Sequence, residues 1–175
     1  DAEAHRPAAK PRRPLGVGAG GVDRDGARLR PMRRYGEPVR PDRAYVTRPG
    51  AYAVVRDGGD VLITEQAEPQ REFQLPGGGV DPGESALRAL HRECLEETGW
   101  RIRVERRLGA FQRYAYMPEY DLWARKVCHV YLARPTLRRG APSEPGHSAL
   151  WMPIATACAL LGNEGDRAFV ARLAR

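Results

Sequence analysis

Glu93, Glu96 and Glu97 stand at i, i+3 and i+4, a spacing that gathers side chains on one flank of a helix, here over about 100°. Leu87, Leu90, Cys94 and Thr98 form an adjoining stripe of roughly 80° on the same wheel. The helix is therefore predicted to bury that edge and project three carboxylates beside it. Like charges four residues apart cost about 0.2–0.5 kcal/mol. Gly99 holds the position of the residue that ends the helix, so the acids crowd the end where the macrodipole favours cations. A bound divalent cation relieves both penalties, and metal-ion chemistry is the first expectation. A solvated acidic face is the commoner fate of a Glu-rich helix, and a wider pattern is needed to separate the two.

The elements that must position these acids are legible around them. The helix is predicted from Glu84 or Ser85 to Thr98. Before it, Ala51–Val55, a turn over residues 56–60 and Val61–Gln66 read as a β-hairpin. Phe73 to Leu75 is a short strand stopped by Pro76 and the glycines at 77–79. After Trp100, residues 102–116 are predicted to hold one or two strands and residues 126–132 another. Residues 135–148 read as a Pro/Gly loop. Pro153 opens a helix through Leu161, and Asp166–Leu173 forms a closing helix with Phe169, Val170 and Leu173 inward. Strands before, between and after helices predict a mixed α/β sandwich. Residues 1–43, rich in Arg, Pro and Gly, are expected to be an extended or disordered arm, and residues 44–175 the folded domain. The glycine run at 16–21 follows no convincing strand, so its likeness to a phosphate loop is weak.

The stretch from Gly78 to Trp100 reads Gly, five residues, Glu84, seven residues, then Arg92-Glu93-Cys94-Leu95-Glu96-Glu97-Thr98-Gly99-Trp100. It resembles the Nudix box, G-x5-E-x7-R-E-U-x-E-E-x-G-U, in which U is bulky and apolar. Every Gly, Glu and Arg position matches; Cys94 and Trp100 depart from the usual apolar types at the two U positions. The order of elements from Ala51 to about Leu161 is also similar to the α/β/α sandwich of Nudix hydrolases of the MutT kind. The resemblance implies hydrolysis of a phosphoanhydride bond in a nucleoside diphosphate derivative or related polyphosphate. It implies Glu93, Glu96 and Glu97, with the backbone carbonyl of Gly77, as ligands of Mg²⁺ or Mn²⁺. Oxygen donors of this kind suit such ions. Glu84 is implied to pair with Arg92, tying loop to helix, and Gly78 and Gly99 to support the site.

Arg92 and Glu96 are the candidate catalytic residues inside the box. A carboxylate bound to two cations is a poor proton acceptor; many Nudix hydrolases take the base from a later loop, and the resemblance then implies Glu144, in Ser143-Glu144-Pro145-Gly146-His147, as the candidate general base, with His147 a second candidate. Arg113, Tyr116, Arg125 and Lys126 are candidate substrate contacts, aromatic rings to stack and cations to take phosphates. Half of these aromatics are equally expected to pack the sheet. The substrate class stays open among dinucleoside polyphosphates, nucleotide sugars and nucleoside triphosphates. A variant reading is removal of pyrophosphate from RNA 5′ ends, for which an Arg-rich arm is a natural backbone contact. A non-catalytic nucleotide- or nucleic-acid-binding module is the reading from another class; such members usually lose box acids, and this chain keeps them.

The formal charge of +7 is concentrated at the start: residues 1–43 carry 11 basic and 6 acidic side chains, the remainder 18 and 16. Only Lys10 and Lys126 are lysines. Excess positive charge attracts phosphate-rich small molecules, with RNA a secondary candidate partner. Cys94, Cys128 and Cys158 lack metal-pair spacing and fit a reducing compartment. No apolar run is long enough to span a membrane, and no secretory signal is evident. A cytoplasmic protein, and a homodimer by family resemblance, are expected.

Overall fold

The computed structural model describes residues 31–67 and 71–174; the glycine run at 16–21 lies outside them. Seven strands build one mixed sheet: β1 (Val46–Asp57), β2 (Asp60–Gln66), β3 (Glu72–Gln74), β4 (Gly77–Gly79), β5 (Trp100–Met117), β6 (Leu122–Arg138) and β7 (His147–Pro153). The path runs β3-β2-β1-β6-β5, with β4 against β1 and β7 against β2. Among the described strands, β1 and β6 pair in parallel and the other strand pairs are antiparallel. The helices are α1 (Ala86–Thr98), α2 (Ile154–Leu160) and α3 (Glu164–Val170).

Ala51–Val55 of β1 are all buried, the continuous run expected of a strand covered on both faces. Because side chains alternate across a strand, Ala51, Ala53 and Val55 enter one core with Leu90 and Cys94 of α1. Tyr52 and Val54 enter the other with Ile154, Ala157, Phe169 and Val170 of α2 and α3. The α/β/α layering predicted from the sequence is thus the observed one.

The hairpin, α1, α2 and the closing helix fall where the sequence places them. Residues 102–116 belong to a single long strand, paired with β6 through three register shifts. The predicted loop at 135–148 is shorter than expected. β6 continues to Arg138 because Trp100 and Arg101 of β5 give it partners, and β7 begins at His147 against Gln66. Leu87 is a second correction. It was expected in the buried stripe of α1, yet it is 46% exposed. The buried residues are Ala89, Leu90, Cys94, Glu97 and Thr98, so the packed arc is rotated toward the acids and includes one of them. Residues 32–43 pack on the domain: Tyr35 N–H donates to the Gln112 carbonyl (3.0 Å) and the Tyr35 ring meets Phe111 edge-on.

Among the described residues no helix is long and apolar enough to cross a membrane.

Candidate metal and hydrolase site

Ser85 caps α1 by accepting from the Arg88 N–H, and Gly99, in the left-handed conformation, ends it by donating to the Leu95 carbonyl. These two ends fix the register of the acids. The loop before the helix is drawn against it. Gly77 has φ +135°, and a Cβ there would stand 2.1 Å from the Ala51 carbonyl oxygen, so β4 can lie this close to β1 only with glycine. A Cβ on Gly78 would stand 2.6 Å from the Glu93 carboxyl. The Gly77 N–H donates to Glu97 Oε2 at 2.9 Å.

Arg92 is the cation of the site. Its guanidinium donates to Glu84 Oε1 and Oε2 (3.2 and 3.0 Å), Glu93 Oε1 (2.8 Å), Glu96 Oε2 (3.2 Å) and the Gly79 carbonyl (3.3 Å). These hydrogen bonds raise the Arg92 pKa, those from Glu84 contributing most, and Arg92 in turn lowers that of Glu84. The predicted Glu84–Arg92 pair is present, and Arg92 also spans two of the box acids.

The loop from Arg139 to Gly146 closes the other side. At the end of α1, Arg139 N–H donates to the Gly99 carbonyl (2.8 Å), and Ser143 and Glu144 N–H both donate to the Glu96 carbonyl (2.8 and 3.1 Å). Carbonyls that a helix terminus leaves unpaired are thus satisfied by a distant loop. The same contacts bring Glu144 to the acids. Carboxylate oxygens of Glu93, Glu96 and Glu144 lie within 4.8 Å of one another, as do ligand atoms of Glu97, Glu144 and His147. A cavity of about 350 Å³ opens there, lined by Arg92, Glu93, Glu96, Ser143 and Glu144.

Burial pushes the Glu97 carboxyl up to about 8, against the Gly77 hydrogen bond, and nearby Glu93, Glu144 and Glu96 push the same way. Burial also raises Glu93, although Arg92 opposes it. Four carboxyl groups therefore converge with one guanidinium between them. Burial is the main cause of both shifts, and the neighbouring carboxylates add to it. The donor set, oxygen apart from His147, fits a hard divalent cation.

The four candidate substrate residues do not form one patch. The register pairs Arg113 with Lys126 and Tyr114 with Arg125, so Arg113 and Lys126 share one sheet face while Tyr116 and Arg125 share the other. Arg113 and Tyr116 both reach a second cavity of about 390 Å³ at the end of the sheet, with Gly36, Glu37, Arg40 and Trp123. Arg125 Nε donates to Gln112 Oε1 (2.8 Å).

Asp166 carried no sequence signal beyond an ordinary acid opening a helix. It is 3% exposed. Burial raises it to about 7, while Arg113, the Leu75 N–H that it accepts and Lys126 act in the opposite sense. Asp166 thus approaches the Leu75 backbone from the α3 side, two residues before Gly77 is held by Glu97 from the α1 side.

Known proteins resemble this chain over parts of its length. A putative 8-oxo-dGTP diphosphatase of Bacillus subtilis (strain 168) is 36% identical over 74 residues, 42% of this chain and 50% of that protein. An RNA pyrophosphohydrolase of Helicobacter pylori (strain G27) is 50% identical over 40 residues, 23% of this chain and 26% of that protein. The chain thus spans half of the first relative and about a quarter of the second. In three dimensions a NUDIX hydrolase from Nitrosomonas europaea superposes with a TM-score of 0.60 at 18% identity, covering 73% of this chain and 88% of that one. The family model of the NUDIX domain matches residues 46–173, from the first strand to the closing helix, and the chain belongs to that family.

Proposed function

We propose that this protein is a divalent-metal-dependent pyrophosphohydrolase that cuts a phosphoanhydride bond in a nucleotide derivative. The convergence of Glu93, Glu96 and Glu144 on one cavity beside Arg92, with Glu97 grouped against Glu144 and His147, carries this reading. In it, Glu93, Glu96, Glu97 and the Gly77 carbonyl hold Mg²⁺ or Mn²⁺. The bound ion supplies neutralisation of phosphate oxygens and a lowered pKa for water.

The chain's own residues do the rest. Arg92 fixes Glu84, Glu93 and Glu96 relative to one another, so the ligand oxygens are positioned before substrate arrives. Glu96 holds its place through its carbonyl as well as its carboxylate. Glu144 lines the cavity with its side chain 41% exposed, open to solvent where Glu97 is closed. It is therefore the acceptor for the proton of the attacking water. Arg113 and Lys126 are proposed as cationic contacts for substrate phosphates. Residues 44–175 form the hydrolase domain in this reading, and residues 32–43 brace its β5 edge.

The names of the relatives suggest two substrate classes, an oxidised nucleoside triphosphate and the 5′ end of RNA. The test is a panel of nucleoside triphosphates, nucleotide sugars, dinucleoside polyphosphates and 5′-triphosphorylated RNA, with Mg²⁺ and with EDTA, products identified by mass. Metal-dependent turnover whose products show one phosphoanhydride bond cut by water is the expected result: pyrophosphate or phosphate from a triphosphate, two phosphorylated fragments from a nucleotide sugar or dinucleoside polyphosphate. Failure across the panel together with tight RNA binding would overturn it in favour of a binding module.

A further inference from the structure

We propose that His147 is itself a metal ligand, giving this centre an imidazole nitrogen beside Glu97 and Glu144, and hence a preference for Mn²⁺ over Mg²⁺. This rests on the metal reading of the site and adds a donor that the box does not contain.

The His147 side chain is 10% exposed, and its Nε2 stands 3.6 Å from Glu97 Oε1. That separation is too long for a hydrogen bond. Two donors of one divalent ion, each about 2.1 Å from it, stand about 3–3.5 Å apart. The other Glu97 oxygen, Oε2, is engaged by the Gly77 N–H. Among the described residues no hydrogen-bond donor reaches Oε1, so Nε2 and Oε1 face one another across a gap the width of a shared cation.

The other ring nitrogen supplies the second observation. Nδ1 lies 3.4 Å from the Pro145 carbonyl and 3.9 Å from Glu144 Oε1. Metal-binding histidines direct their second ring N–H to a backbone carbonyl or carboxylate, which fixes the tautomer and leaves the lone pair on the ligating nitrogen. The acceptor of that kind on the Nδ1 side is the Pro145 carbonyl. The position is also held by backbone: His147 opens β7 opposite Gln66, and its N–H approaches the Glu144 carbonyl at 3.4 Å. Imidazole suits transition-metal ions, whereas Mg²⁺ favours oxygen donors and retained water.

The experiment is electron spin echo modulation on the full chain loaded with Mn²⁺, beside Mn²⁺ and Mg²⁺ titrations by calorimetry. The wild-type protein is expected to show modulation from a directly bound imidazole nitrogen. Incorporation of ¹⁵N-histidine changes the modulation pattern, which identifies the nitrogen without any substitution. In His147→Gln the modulation disappears, and Mn²⁺ affinity falls about tenfold while Mg²⁺ affinity changes less. Bound Mn²⁺ with no nitrogen modulation in the wild type overturns the His147 assignment and leaves the carboxylate site standing. Modulation that persists in His147→Gln overturns it too, pointing to another histidine. Absence of any Mn²⁺ or Mg²⁺ binding overturns this inference and the metal reading together.

Discussion

The Gly77 N–H and Glu97 Oε2 are joined by a 2.9 Å hydrogen bond across 20 residues of chain. This bond locks the Gly77 loop to the helix that carries the carboxylates. It also explains why Glu97 alone among the three box acids is inside: it serves the fold with one oxygen and faces the site with the other. Glu97→Gln keeps an oxygen that can accept from Gly77 and removes the charge. We expect the variant to fold, with melting temperature near that of the wild type, and to lose about 10²-fold or more of its metal-dependent turnover. Turnover within tenfold of the wild type would sink the metal assignment.

The stability of the metal-free protein is expected to fall as pH rises. Glu97 is raised from 4.5 to about 8 and Asp166 from 3.8 to about 7, both chiefly by burial. Between the unfolded and folded values the folded chain holds more protons than the unfolded one, so raising the pH through that window destabilises it. Thermal melts in EDTA from pH 5 to pH 8 should show a declining melting temperature. Glu97→Gln should flatten part of the decline, and added Mn²⁺ should oppose it, by binding only the folded state. A melting temperature that is flat or rising over this range contradicts the burial argument.

Glu144→Gln tests the base. Its backbone N–H bond to Glu96 does not involve the side chain, so the loop should stay in place. The expected result is a loss of about 10²–10⁴ in kcat with disappearance of the acidic limb of the pH–rate profile. A profile that keeps its acidic limb places the base elsewhere.

Asp166 is predicted to act on the site through Leu75. Asp166→Asn retains an acceptor for the Leu75 N–H, whereas Asp166→Leu fills similar space without one. We expect Mn²⁺ affinity to be held within about threefold in the first and to drop about tenfold or more in the second. Equal affinities for the two, measured by calorimetry on folded protein, would mean that Asp166 only packs α3.

Much of this molecule is legible in its residues. The spacing of Glu93, Glu96 and Glu97 and the glycines at 77–79 is a local pattern, and local patterns survive into the structure. What could not be read depends on partners remote in sequence. Leu87 looks apolar and well placed on a wheel, but the sheet contacts the helix along an arc that takes in Glu97 instead. The end of β6 is set by Trp100 and Arg101, which extend the pairing beyond a proline that reads as a stop. Asp166 has the sequence of a helix-opening acid, and only the fold turns it toward Leu75. The candidate substrate residues Arg113, Tyr116, Arg125 and Lys126 are close in sequence, and strand alternation divides them between two faces.

The loop that satisfies the last carbonyls of α1 also bears on how the protein acquires its activity. Ser143 and Glu144 reach Glu96 from 47 and 48 positions downstream, and His147 is held in the sheet only once β7 has docked on β2. Contacts of such long sequence separation are expected to form late in folding. A chain released before β7 has paired carries every residue of the box and no finished centre. High-affinity metal capture should therefore be the last property to appear on refolding, trailing the helix and hairpin signals, and it offers a clock for completion of the fold.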